Sequence, residues 1–312
     1  AKKPDERYQS AQTMSDELRT VITREDTGVV AHARAVTRLI ALPFRMLRPD
    51  PDIDFLAFSL PDAITNSLVG LTSLVVRSSM TASKYAGPAP DLKSIAAEAE
   101  VDVVLTGTLL RSGDQLRVSA QLAEAPAGTL IWSQTSQMSV KEIFQLQDEI
   151  VQQVVQSLAL PLSARESRLL KHDVPASATA YQFYLRGNQL GTDLGQTAVA
   201  RELYLSCVAE DPKYAPAWAR LGRCYRLIAK YGGEDSDFSK AETAFRRALE
   251  LNPDLTLAHN LFAALEADLG HAESAMVRLL ERTRANRSDP NLYSGLVYAC
   301  RFSGLLEASI VA

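Results

Sequence analysis

The side chains of this sequence that could do chemistry stand in patterns that stop short of a reactive site. Asp50, Asp52 and Asp54 alternate as the first ligands of a calcium loop do. The sixth position of that loop is Phe55 instead of glycine, however, and the twelfth is Pro61 instead of a bidentate glutamate, so these acids read as solvated carboxylates at a helix start. The four histidines, His32, His172, His259 and His271, never fall at a metal-ligand spacing such as H-x-x-x-H. Cys207, Cys224 and Cys300 are odd in number, far apart and without a C-x-x-C pair, which suits buried thiols acting as small apolar groups. Gly107 lacks the companion glycines of a phosphate-cradling loop. Ser78, Ser79, Lys84 and Tyr85 could touch a ligand beyond a strand end, where polar residues more commonly satisfy the backbone. No catalytic, cofactor or metal site is expected, and the expected activity is binding.

The elements that would position a binding surface follow from size and periodicity. A chain of 312 residues implies two folded units. Its 46% hydrophobic and 22% charged residues suit globular protein, and a net charge of -4 gives no field to draw nucleic acid or an anionic membrane. No stretch reaches the roughly 18 to 20 apolar residues needed to span a bilayer. The N-terminus carries neither an initiator methionine nor a signal-peptide core, so the chain is expected to be a piece of something longer.

Residues 1–22 place Met14, Leu18 and Ile22 on one helical stripe behind Pro4 and Asp5. The string Pro4-Asp5-Glu6-Arg7-Tyr8-Gln9-Ser10-Ala11 followed by Leu18 resembles the last helix of the bacterial serine/threonine protein kinase fold. The resemblance implies that Arg7 holds the activation segment, and that ATP and magnesium serve the parent kinase. The Gly-rich loop, H-R-D and D-F-G are absent here, so this chain needs no cofactor of its own. Residues 23–36 read as a linker too short and too polar to cross a membrane, which puts both flanking parts in the cytosol.

Residues 37–172 predict a mixed α/β domain. The apolar run Leu39–Phe44 is a buried strand ended by Pro43, and Phe55, Leu56, Leu60, Ile64, Leu68 and Leu71 keep helical spacing before a strand at Leu74-Val75-Val76. A short helix around Ile95 and Ala99 precedes a strand at Val101–Leu110. Two alternating segments, Gln115–Leu122 and Thr129–Thr135, then follow glycine-containing turns as antiparallel hairpins. Ser139 to Glu142 is a capping box opening a helix that holds Ile143, Phe144, Leu146, Ile150, Val151, Val154, Val155 and Leu158 on one side, and Ser163 to Glu166 is a second box after Pro161.

In order, Ile40-Ala41-Leu42-Pro43-Phe44, Val76-Arg77-Ser78-Ser79, Val101 to Thr108, Leu116-Arg117-Val118, Gln121-Leu122, Leu130-Ile131-Trp132 and Phe144 to Glu149 resemble the TolB amino-terminal-like domain. That family sits between signalling modules and tetratricopeptide arrays in bacterial kinases, adenylyl cyclases and CadC-like regulators, and the resemblance implies a non-enzymatic adaptor. Ser59 departs from the family's common glycine.

Residues 175–312 predict an all-α solenoid. Trp218, Leu221, Gly222 and Tyr225, then Ala241, Phe245, Ala248 and Pro253, match the tetratricopeptide (TPR) signature, with Tyr231–Phe238 as a longer turn. Weaker copies run from Tyr184 to Pro212, His259 to Asn286 and Tyr293 to Ala312, the last incomplete. Counting from Trp218 along the first helix of each copy places Ala219, Arg223 and Arg226 on a concave face, with Tyr184, Asn188, Asn260, Tyr298 and Arg301 at equivalent positions. Guanidinium forks and tyrosines suit an extended acidic or C-terminal peptide. The expectation is therefore an α+β two-domain chain, a mixed α/β sheet domain followed by a TPR solenoid, acting as the regulatory, protein-binding region of a cytoplasmic serine/threonine protein kinase. The same domains attached to an adenylyl cyclase or a CadC-like DNA-binding regulator are the alternative.

Overall fold

The computed structural model describes residues 36–87, 90–170, 173–232, 236–285 and 289–311. The kinase-like tail with Arg7 lies outside the described residues, as does nearly all of the linker. The chain divides into two compact units at Ala217/Trp218.

In the first unit the short apolar run forms strand β1 (Thr37–Ala41), which is followed by the two-residue strand β2 (Arg45–Met46). Helix α1 (Leu56–Leu68) leads to β3 (Leu74–Val76), and the short helices α2 (Ser79–Ala82) and α3 (Leu92–Ala99) precede three strands of ten residues each. These are β4 (Val103–Ser112), β5 (Gln115–Glu124) and β6 (Leu130–Ser139). The sheet runs β3-β1-β4-β5-β6 with β2 beside β4, its early contacts parallel and the last two antiparallel. Alternation along β5 buries Leu116, Val118, Ala120 and Leu122, as its period of two dictates. Helix α4 (Ile143–Ser157) starts at the Ser139–Glu142 capping box, whose two reciprocal hydrogen bonds are both present, and buries Ile143, Leu146, Ile150, Val151 and Val154.

Two constraints seat α1 against the sheet. Pro61 inside α1 has no N–H to offer the Ala57 carbonyl one turn back. The backbone N–H of Phe44 takes that carbonyl at 2.7 Å, tying the β1–β2 connection to the helix. The Phe44 ring, 2% exposed, lies over Gly107 of β4, where an added Cβ would stand 2.8 Å from ring carbons. Ser59 is fully buried on α1, and its hydroxyl donates to the Phe55 carbonyl at 2.8 Å. After α4, helix α5 (Ala164–Leu169) is fastened by Glu166. The Glu166 carboxylate accepts from Ser163 N and Oγ at 2.7 and 2.6 Å, and from Thr72 N and Oγ1 at 2.7 and 2.8 Å.

The hairpin of α6 (Ala178–Leu190) and α7 (Thr197–Glu210) belongs to this first unit, whereas the sequence placed the boundary near residue 172. The reason is an aromatic face. Tyr181 stands edge-on to Phe144 of α4 at 5.4 Å and, with Tyr184, Tyr204 and Tyr214, forms one buried cluster. Arg186 adds a cation over the Phe55 ring at 4.9 Å and a bond to the Asp52 carbonyl.

The second unit contains most of α8 (Ala215–Tyr231), then α9 (Ser236–Leu251), α10 (Thr256–Asp268), α11 (Ala272–Ala285), α12 (Pro290–Phe302) and α13 (Leu306–Val311). The chain is thus a mixed six-stranded sheet followed by helices. Gly222 of α8 meets the Phe245 ring of α9, to which an added Cβ would come within 2.9 Å. Ala241 and Ala248 are fully buried on the same helix as Phe245, and Trp218, half-buried, packs with Ala219, Ala248 and Ala258. Among the described residues no helix is long and apolar enough to cross a membrane.

The two tryptophans, Trp132 in the sheet and Trp218 in the helices, report on the units separately. Phe44→Ala should cost about 3 to 5 kcal/mol and move the unfolding midpoint read by Trp132 in a Trp218→Phe background. Gly222→Val, an overpacking change of about 1 to 3 kcal/mol, should move the Trp218 midpoint in a Trp132→Phe background and leave the other where it is. Equal shifts of both reporters by either variant would contradict this division of the packing.

Candidate interaction site

Helical spacing builds the candidate site. On α8, Arg226 and Lys230 are four residues apart and share a face, and on α12 Tyr298 and Phe302 do the same. Between them stands Asp268, the last residue of α10, whose side chain is only 5% exposed. Arg226 Nη1 donates to Asp268 Oδ2 at 3.0 Å, and Lys230 Nζ donates to Oδ1 at 2.7 Å. The Tyr298 hydroxyl accepts from Lys230 at 3.1 Å and donates to Asp268 Oδ1 at 3.2 Å. Tyr298 and Phe302 stack at 4.5 Å, and Lys230 Nζ lies 5.2 Å from the centre of the Phe302 ring.

A buried carboxylate is tolerated only when paired, and here it is paired twice. The hydrogen bond to Asp268 holds the Lys230 ammonium above its ordinary pKa. Among the described residues two cations face one acid beside two stacked rings, one of them the half-exposed Phe302. That combination can receive a carboxylate together with an apolar side chain.

Of the seven residues expected to share a groove, the structure brings Arg226 and Tyr298 into this cluster. Asn260 of α10 is half-buried against α12, where a Cβ on Gly295 would stand 3.0 Å from its Oδ1. Arg223 is half-buried on α8, and Arg301 is exposed on α12. Tyr184 and Asn188 do not line a groove. They are 3% and 4% exposed inside the first unit, Tyr184 within the tyrosine cluster and Asn188 accepting from Tyr204 Oη at 2.8 Å. Counting along a repeat fixes a residue's place in its hairpin and says nothing of which neighbouring element will cover it. Lys230, Asp268 and Phe302 went unnoticed, although Lys230 and Phe302 stand one turn beyond Arg226 and Tyr298 and the same count would have reached them.

The other candidates of the sequence have structural places. Asp50 and Asp52 lie 3.6 and 3.0 Å from Arg111. Ser78 caps α2 by accepting from Thr81 N, and the Tyr85 hydroxyl donates to Glu98. Tyr85 also borders a cavity of about 310 Å³ with Leu42, Arg45, Thr106 and Gln121. All three cysteines are buried, and burial pushes the Cys207 thiol up to about 12 and Cys300 up to about 11.

Beside the site, α10 and α11 are joined by charge. Arg278 pairs with Glu266 at 2.6 Å, and Arg282 pairs with Asp254. His259 Nε2 donates to the Pro253 carbonyl at 2.8 Å, which also accepts from Arg282. Burial lowers the His259 pKa to about 4, with Arg282 and Arg278 adding to the effect. Asp289, fully buried where it caps α12, is raised by burial to about 6.

No protein-family model matches the chain. Over 185 residues, 59% of its length, it is 26% identical to the protein named "Putative adenylate cyclase 3" from Rhizobium meliloti (strain 1021). The match covers 32% of that protein, so the chain spans about a third of the relative's length.

The shifted groups give opposite pH effects. His259, depressed from 6.5 to about 4, contributes stability that is present above 6.5 and lost as pH falls through that window. Asp289, raised from 3.8 to about 6, binds its proton more tightly when folded, so its contribution declines as pH rises from about 4 to about 6. Asp289→Asn keeps the cap and removes the second effect. In paired denaturant melts its advantage over wild type should grow from near zero at pH 4 to at most about 2 to 3 kcal/mol at pH 7. A constant difference across that range would show that the carboxyl titrates normally.

Proposed function

We propose that this chain is a non-catalytic regulatory and protein-interaction region of a larger bacterial signalling protein in the cytosol. In this reading the helical pairs form a TPR array, supported by the close approach of Gly222 to Phe245 and the buried Ala241 and Ala248. The observation that carries the binding role is the Arg226–Asp268–Lys230 arrangement beside Tyr298 and Phe302. Its two cations, which share the one carboxylate of Asp268 among the described residues, suit an acidic or C-terminal peptide segment whose carboxylate joins them. The sheet unit then serves as the adaptor between this array and whatever precedes it.

The similarity to the Rhizobium protein favours an adenylyl cyclase as the parent. A serine/threonine kinase parent is the second reading, favoured by the sequence Pro4 to Ala11 with Arg7 in the place of the family's arginine. Assays of the parent protein for conversion of ATP to cyclic AMP and for phosphate transfer to protein separate the two.

The binding role is tested with a fluorescent library of acidic and neutral peptides and the full chain. Selected acidic peptides should bind about tenfold or more weakly to Arg226→Ala/Lys230→Ala, since each charge-assisted bond contributes roughly 1.5 to 3 kcal/mol. Asp268→Asn, which removes the internal competitor, should tighten the same peptides and steepen their salt dependence. Affinities that ignore all three changes in folded variants would place the binding surface elsewhere.

A further inference from the structure

Strand β6 is the edge of the sheet, and among the described residues no element pairs with its outer side. Edge strands are ordinarily guarded by charge, proline or bulges, because their free N–H and C=O groups are a template for another strand. This edge has a register irregularity near its start, where Ile131 is the extra residue between the Leu122–Trp132 and Ala123–Leu130 pairs. The remainder, Trp132-Ser133-Gln134-Thr135-Ser136-Gln137-Met138-Ser139, has no charged residue, no proline and no glycine.

The pairing pattern shows which groups are presented. The two-residue turn Gly113-Asp114, with Gly113 at φ 63°, makes Ser112 and Gln115 a hydrogen-bonded pair. Alternating from that pair, the backbone groups of Leu116, Val118, Ala120 and Leu122 point to β6, and those of Met138, Ser136, Gln134 and Trp132 point back. The amides and carbonyls of Ser133, Thr135 and Gln137 therefore face outward, and their side chains are exposed.

We propose that β6 pairs with β6 of a second copy of this chain, antiparallel and centred on Thr135. The sequence is complementary to itself in that register. Trp132 faces the partner's Met138 on the helix-covered side of the sheet, and Gln134 faces Ser136. On the open side Ser133 faces Gln137 and Thr135 faces its own counterpart. Apolar residues meet apolar ones, amides meet hydroxyls, Thr135 meets itself, and no charge is brought against a charge. A shift of two residues either way sets Trp132 opposite Ser136 or beyond the strand end at Val140, so only one register matches throughout.

The test is sedimentation of the full chain over a range of concentrations up to its solubility limit. Wild type should associate to a dimer. Thr135→Lys and Thr135→Glu each place like charges against each other on the symmetry axis, and each should raise the dissociation constant about tenfold or more. Mixed one to one, the two variants should dimerise again. Thr135→Cys should form a disulfide-linked dimer on mild oxidation, since only this position faces itself. Circular dichroism checks that the exposed substitutions leave the fold intact. A wild type that stays monomeric at every concentration, as it would if this edge served a strand of some other protein, overturns the proposal, and so does a dimer indifferent to Thr135→Lys and Thr135→Glu.

Discussion

The sheet unit depends on one carbonyl set free by a proline. Pro61 cannot donate to Ala57, and the oxygen left over inside a buried helix would carry a desolvation penalty. Phe44 N–H fills the vacancy, which fixes the turn after β1 and drops the Phe44 ring onto Gly107 in the middle of β4. One hydrogen bond thus ties the helix layer to the sheet, on the helix that buries Leu56, Leu60 and Ile64. Replacing Pro61 by a good helix former would supply a second donor to the Ala57 carbonyl, which the Phe44 amide would then have to share.

The helical unit uses the same device without the proline. A ring is seated on a residue with no side chain, Phe245 on Gly222, as Tyr204 is on Gly187 in the first hairpin. Such contacts fix how closely paired helices approach, while charge decides what lies between pairs. Arg278 with Glu266 and Arg282 with Asp254 close one junction almost completely. At Arg226, Lys230 and Asp268 two cations share one carboxylate, and the proposed preference for acidic partners rests on that inequality.

Much of this was legible in the sequence because periodicity and capping are local. The presence and order of β4 to β6, the Ser139 box and the α4 stripe follow from alternation, turn glycines and spacing, whereas β5 runs on two residues past the expected Leu122 and β6 four past the expected Thr135. Less legible was whatever depends on a distant partner. Strand β2 has two residues and exists only because β4 pairs with it, so no pattern of its own marks it. The role of Gly107 needs Phe44, sixty-three positions away, to explain it. Tyr184 and Asn188 fall at groove positions when the repeat is counted from Trp218. Their burial came from Tyr181, Tyr204 and Tyr214, which no count along a single helix reveals. Asp268 was hidden for a related reason, since a helix-end acid reads as solvated until two cations from another helix are laid over it.

The tyrosine hairpin bears on how such chains can be cut and recombined. A break near residue 172, where the compositional change invites one, would strip Tyr181 from Phe144 and Arg186 from Phe55 and bare an oily flank on the sheet unit. The piece that keeps this cluster whole runs on past α7 and Tyr214 to Ala217. Any shuffling of this sheet unit among other proteins would thus carry one pair of helices along as baggage, and a sequence search for the sheet alone would draw its border a hairpin too early.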